Sequence, residues 1–166
     1  KIQRWIRMYE RGGPIADAID AYALFALTNG YELVCEDGAD GLKDQVQAWL
    51  DQPWVDMDQI FADGILSAVL AGDAYQEIIP TRTGQGVWGI VSRDPSTFGK
   101  NCDEYGRITG YSQYTPGKSG LTEEETPIDP DRILSFSLFH VPSQVYGLSL
   151  MDRAEDDVNR DCDTIE

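Results

Sequence analysis

Residues 135–161 read SFSLFHVPSQVYGLSLMDRAEDDVNRD, and the change of period inside this stretch decides the fold. The apolar run 133–139 has the composition of a strand. It meets the chain's only histidine, His140, and then a Pro-containing turn over 141–146. Gly147 and Ser149 open a helix. Met151, Ala154, Val158, Cys162 and Ile165 recur at intervals of three and four and form one stripe, while Asp152, Glu155, Asp156, Asn159 and Asp163 face away. Ser149 followed three places later by Asp152 resembles a capping box, with Asp in place of Glu or Gln. Asp161, Asp163 and Glu166 would set negative charge on the last carbonyls, where the helix dipole disfavours it, and no stop residue follows. The helix is therefore expected to continue past Glu166. With Lys1 rather than Met at the start, the chain is expected to be part of a longer protein.

Upstream, the apolar positions have helical spacing. Ile2, Trp5, Ile6 and Tyr9 mark a first helix, broken by Gly12-Gly13. Pro14 then takes a favoured first position. Ile15, Ala18, Ile19, Tyr22, Phe25 and Ala26 are expected on the inner face of a second helix, closed by Asn29-Gly30. A short strand is expected over 31–35, then a helix with Leu42, Val46, Trp49 and Leu50 inward. Asp56 is expected to cap the next helix, which ends at Gly72. From Asp73 the period becomes two. Strands are predicted over 74–80, 87–93, 98–102 and 107–115, with turns at 81–86 and 103–106. Residues 116–132, carrying Glu123-Glu124-Glu125, are read as a polar surface loop. Helices, then a mostly antiparallel β section, then the start of a long helix define an α+β class.

Twenty-nine acidic residues face thirteen basic ones, a net charge of −16. Nineteen of the acids are Asp and only four of the bases are Lys. Aromatic and aliphatic residues are plentiful, so this is not the signature of disorder. A folded, Asp-rich, Lys-poor chain points to work in molar salt, where a Debye length of about 3 Å screens self-repulsion. Such a surface argues against tight sequence-independent DNA binding, which needs Lys and Arg to displace counterions. The basic cluster Lys1, Arg4, Arg7 and Arg11 is the exception, either an anionic contact or a solvated helix face. Cys35, Cys102 and Cys162 lack CxxC spacing and are expected as small buried residues in a reducing compartment. No apolar run approaches the ~18 residues of a membrane span.

Catalytic signatures are missing. The sequence has no Walker A loop, GxGxxG, HExxH or GxSxG. Any Ser or Cys nucleophile would depend on His140, and nothing in the sequence sets Cys102 or Ser137 beside it. Calcium-loop spacing fails at Glu36, where Gly38 and Gln47 fall on ligand positions, and at Asn101, where Ser112 replaces the required Glu. No cofactor and no metal site is expected.

Five stretches in order carry a family resemblance. They are Met8-Tyr9-Glu10 with Pro14-Ile15-Ala16-Asp17-Ala18-Ile19 and Asn29-Gly30-Tyr31-Glu32-Leu33; Leu70-Ala71-Gly72-Asp73-Ala74-Tyr75-Gln76-Glu77; Trp88-Gly89-Ile90-Val91-Ser92-Arg93-Asp94-Pro95-Ser96-Thr97; Asp103-Glu104-Tyr105-Gly106-Arg107-Ile108-Thr109-Gly110-Tyr111; and Ile133, His140 and Tyr146-Gly147-Leu148-Ser149-Leu150. Together they resemble the portal proteins of tailed double-stranded DNA viruses, the HK97-like portal family. The second matches that family's G-(N/D)-A-Y-x-E step from helix to strand. The resemblance implies a wing domain over 1–146 and the beginning of the stem helix over 147–166, with the remaining stem, clip and crown absent. It implies a homo-oligomeric ring, a dodecamer, at one capsid vertex of the virion. Its partners would be the major capsid protein, the large terminase, the head–tail connector and double-stranded DNA passing through without sequence specificity. The family does not itself catalyse, and it assembles in the host cytoplasm with no membrane role. Gly72 and Gly147 would be turn points, Ser149 the cap of the stem helix, and Met151, Ala154, Val158, Cys162 and Ile165 a subunit-interface stripe. The Asp-rich composition departs from most bacterial relatives and points to a haloarchaeal virus or provirus. The alternatives are another α+β head-assembly or connector protein, and a fragment of a halophilic enzyme, which predicts a pocket at His140.

Overall fold

A computed structural model describes residues 1–35, 40–116, 123–141 and 144–155. Its central helix begins at Asp56, whose carboxylate accepts from the Gln59 N–H at 3.0 Å and caps α4 (Met57–Ala71). Gly72 ends it in the left-handed region, at φ 90° and ψ −26°, a conformation that disfavours any residue with a Cβ. α1 (Ile2–Glu10) and α2 (Pro14–Leu27) lie against α4, and Trp5, Ile19, Val69 and Leu70 close one core with Met151. α3 (Asp40–Leu50) stands beside the first β-hairpin.

Six strands form two antiparallel sheets of three. β1 (Asp73–Pro80) is the middle of the first, between β2 (Val87–Arg93) and β6 (Ile133–Ser137). β4 (Ile108–Pro116) is the middle of the second, between β3 (Phe98–Cys102) and β5 (Glu123–Ile128). Alternation along β1 gives its two faces different neighbours. Ala74 and Gln76 face α4, where the Gln76 amide donates to the Ile60 carbonyl and Phe136 of β6 leaves no room for a side chain at Gly64. Tyr75 faces the second sheet, stacking on Phe98 at 4.9 Å and meeting Tyr111 edge-on at 5.9 Å. Such pairs add about 0.5–1.5 kcal/mol beyond burial. The first sheet is thus the middle of three layers, with α4 on one side and the second sheet on the other. This is the expected α+β arrangement.

Five local expectations are corrected. Residues 31–35 carry no regular element and pair with no strand among the described residues. Residues 123–128, expected inside a loop, form the edge strand β5. Its Pro127 needs no ladder partner at an edge, the Glu125 carboxylate accepts from Ser112 at 2.6 Å, and Ile128 reaches the Tyr111 cluster. α2 is rolled relative to expectation. Ala16 and Ile19 are buried, whereas Phe25 is 78% exposed, because an almost wholly apolar helix offers more than one stripe of the right period. Leu42 of α3 is also exposed rather than inward. Cys102 is exposed at a bulged strand end and Cys35 is half-buried, so neither is the fully buried residue expected; Cys162 lies outside the described residues.

The Tyr75 hydroxyl is buried with no hydrogen-bond partner among the described residues. Burial, and then the Asp73 charge, push its pKa well above the usual 10.0. Above pH 10.0 the unfolded chain ionises at this residue and the folded one does not, so stability falls as pH rises through that range. Tyr75→Phe is expected to leave stability at pH 8 unchanged or raise it by up to ~1 kcal/mol. It should also lessen the alkaline loss, as read from urea unfolding at pH 8 and pH 11.

Candidate functional site

The turn out of α4 and the turn into the last helix meet back to back. A Cβ on Gly72 would overlap the Gly147 carbonyl, and one on Gly147 would overlap the Gly72 carbonyl, so backbone touches backbone. Leu138 N–H donates to Gly72 O at 3.1 Å, and Leu148 N–H to Phe139 O at 2.7 Å. These bonds bring Leu138, Phe139 and Leu148 together at the end of α4.

Asp73, the first residue of β1, supplies the charge that holds this turn. Its carboxylate accepts from Lys100 Nζ at 2.8 Å, from the Ser137 hydroxyl at 2.5 Å and from Gly147 N–H at 3.1 Å. The ammonium also donates to Val145 O at 2.9 Å, and the Tyr146 hydroxyl accepts from the Lys100 backbone N–H at 3.1 Å. Lys100 lies 5.3 Å from the Tyr146 ring centre and 5.8 Å from that of Tyr75. Both partners of the ion pair are almost wholly buried, with side chains 3% and 6% exposed for Lys100 and Asp73. One carboxylate therefore ties together β1, β3, β6 and the turn before the last helix. A second buried carboxylate on the same face, Glu77, is held by Arg93 and Arg132, each at 2.5 Å.

Ser149 begins α5 (Leu150–Arg153). Its hydroxyl accepts from Met151 N–H at 3.0 Å and Asp152 N–H at 3.4 Å, and donates towards Leu70 O at 2.8 Å and Val69 O at 3.1 Å. A single hydroxyl thus serves the free amides of one helix start and the free carbonyls of another helix end. Asp152 does not complete a reciprocal capping box. Its carboxylate accepts from Trp5 Nε1 at 2.7 Å and pairs with Lys1 at 3.3 Å. Glu155 pairs with Lys1 at 3.0 Å and Arg4 at 3.8 Å, so half of the N-terminal basic cluster grips α5 from the α1 side. Those acids raise the Lys1 pKa, Glu155 first and Asp152 second. Arg153 lies over the Phe139 ring at 4.4 Å.

The geometry gathers Gly72, Gly147 and Ser149 into one junction, with Met151 buried beside it and Ala154 half-buried against the same core. Val158, Cys162 and Ile165 lie outside the described residues. His140 is exposed and lines neither the groove beside α1 nor the one beside α3. Sequence reasoning missed the Asp73–Lys100 pair. The only signal for it was a lysine at a strand centre in a chain with four lysines. Among the described residues no three His, Cys, Asp or Glu side chains converge as metal ligands, and no helix is long and apolar enough to cross a membrane.

No family model and no curated protein matches this chain. Solved structures do. A chain from the virion of a native gene transfer agent particle superposes with a TM-score of 0.68 at 18% identity, over 95% of this chain and 41% of that one. A chain from the neck of an empty gene transfer agent particle, computed with C6 symmetry, superposes with a TM-score of 0.66 at 19% identity, over 90% of this chain and 40% of that one. This chain spans about two-fifths of the length of each. At these identities the likeness is one of fold.

Lys100→Met strands a buried carboxylate and is expected to cost roughly 3–5 kcal/mol, whereas Asp73→Asn with Lys100→Met together should cost clearly less. Ser149→Ala should cost about 1–2 kcal/mol through the lost cap. Chemical unfolding of each variant measures these differences, and a double-mutant cycle isolates the ion pair.

Proposed function

We propose that this chain is the wing domain, over 1–146, and the beginning of the stem helix, over 147–166, of a viral portal subunit. Copies form a ring at one capsid vertex, a passive conduit for double-stranded DNA during packaging and ejection. The ring meets the major capsid protein and offers docking sites to the large terminase and the head–tail connector. It is assembled in the host cytoplasm and ends in the virion. The observation that carries this reading is the fold shared, over nearly the whole chain, with components of a virion and of a particle neck. The ordered sequence segments quoted above add to it independently.

The junction suits the role. A stem that lines a channel needs a fixed departure from the wing, and α5 leaves a joint held by a buried ion pair, a shared hydroxyl and opposed backbones. The net charge of −16 suits a conduit that must not grip DNA, and with its Asp-rich composition it supports a haloarchaeal virus or provirus. A head–tail connector is the second reading, favoured by the neck chain among the structural neighbours.

Light scattering and negative-stain imaging of the protein in ~2 M KCl test the proposal. Closed rings with a central hole that bind large terminase are the expected result. Rings that bind only tail components would favour the connector, and a stable monomer at all concentrations would overturn both. Dilution to ~0.1 M salt should lower the melting temperature as screening is lost.

A further inference from the structure

The two sheets are built from one pattern used twice. β1, β2 and β3 follow one another as an antiparallel pair, a corner and a third strand, and β4, β5 and β6 repeat that order. Each third strand leaves its own pair and joins the central strand of the other, β3 beside β4 and β6 beside β1. The corners are alike in sequence and in bonding. Asp94-Pro95 and Asp129-Pro130 each open one short 3-10 turn, Pro95–Thr97 and Pro130–Arg132. The Asp carboxylate accepts from the N–H of Ser96 at 2.8 Å in one and of Asp131 at 3.0 Å in the other. The Asp carbonyl accepts from the N–H of Thr97 and of Arg132, at 3.0 Å in both. The residue that follows, Phe98 or Ile133, is extended and buried between the sheets.

An Asp-Pro corner by itself is ordinary turn chemistry. The strand register makes the relation specific. Tyr75 pairs with Arg93, the residue before Asp94, and on its other side with Ser135. Tyr111 pairs with Ile128, the residue before Asp129, and on its other side with Lys100. Lys100 and Ser135 stand equally far past Phe98 and Ile133. A slip of one residue in any of these four pairings would destroy the match. The cluster between the sheets is then two equivalent pairs, Tyr75 with Phe98 and Tyr111 with Ile133.

The units differ at one layer. In the second, Ser135 and Tyr111 meet hydroxyl to hydroxyl at 2.7 Å, and Thr109 precedes Tyr111 by two residues. In the first, those places hold Lys100 and Asp73, and the Tyr75 hydroxyl has no partner among the described residues. Beyond each other and Ser137, Lys100 and Asp73 reach the Val145 carbonyl and the Gly147 N–H. Both belong to the turn before the last helix, outside either unit. We infer that the β section is a pair of equivalent three-strand units that exchange their third strands, and that in the first unit the Asp73–Lys100 pair stands in place of a tyrosine–serine bond and anchors the last helix. Asp73 and Lys100 are thus positioning residues for α5. The inference does not depend on the ring reading.

Asp73→Thr with Lys100→Ser gives the first unit the residues of the second. Hydrogen exchange then separates framework from anchor. Amides of β1 and β4 should keep their protection within about threefold, while those of residues 145–154 exchange at least ~10 times faster. Equal loss of protection in both sets would make the pair part of the framework, and unchanged protection of residues 145–154 would remove the anchor; either overturns the inference. The equivalence of the units has its own readout. With Asp73→Thr in place, Lys100→Ser should unfold with an equilibrium constant roughly fivefold smaller than Lys100→Ala, because only the serine supplies a hydroxyl to Tyr75. Adding Tyr75→Phe should abolish that difference. Equal constants before Tyr75→Phe is added would overturn the equivalence. Should these variants not fold, Asp73→Ala with Lys100→Met is apolar at both positions and is expected to show the same contrast in exchange. Failure of that variant to fold as well would place the ion pair in the framework and overturn the inference.

Discussion

The Asp73 carboxylate is the point on which the arrangement turns. A charge at the first residue of the central strand is costly to bury unless it is paired and bonded. Asp73 meets that demand by collecting an ammonium from β3, a hydroxyl from β6 and an amide from the turn before α5. Each donor belongs to a different part of the chain, so satisfying one carboxylate fixes the relative position of both sheets and of the last helix. Glu77, two residues along on the same face, repeats the device with two guanidinium groups. The space between the sheets is therefore an aromatic cluster with a paired charge at each end. The layer between the sheet and α4, by contrast, is held mainly by close packing around Gly64 and Phe136.

That difference explains what could be read from the residues alone. The ends of α4 were visible because a cap and a left-handed glycine are local: Asp56 acts three residues away, and Gly72 acts on its own backbone. β1 and β2 were visible through their period of two, and β6 as an apolar run. The Asp73–Lys100 pair was not, because its partners are 27 residues apart and nothing local marks a lysine that points inward. α2 shows a different failure. Its composition announced a helix, but an apolar helix has no polar face to fix its rotation, so only packing on α4 decides that Ile19 goes in and Phe25 goes out. β5 was hidden by its glutamates, which read as a solvated loop, although Glu125 bonds the buried Ser112 and Ile128 reaches the core. The junction was half readable: Gly72, Gly147 and Ser149 stood out as turn chemistry, but that they touch one another is a tertiary fact.

The acidic composition acquires a division of labour in the structure. Asp73 and Glu77 are interior and paired; Asp152 and Glu155 serve as handles by which α1 grips α5. Among the cations, Lys100, Arg93 and Arg132 are committed to the sheets, and Lys1 and Arg4 to the last helix. Three of the chain's thirteen basic residues neutralise carboxylates inside it. Its outward face is left strongly negative.

The meeting of Gly72 and Gly147 has a mechanical meaning. Two carbonyl-bearing backbones in contact, with no side chain between them, leave nothing soft to compress. The Ser149 hydroxyl joins the same two segments in tension, since pulling α5 away must stretch its bond to the end of α4. Push and pull along the last helix are therefore both delivered to α4, and through α4 to the middle layer of the fold. The joint works as a weld rather than a pivot.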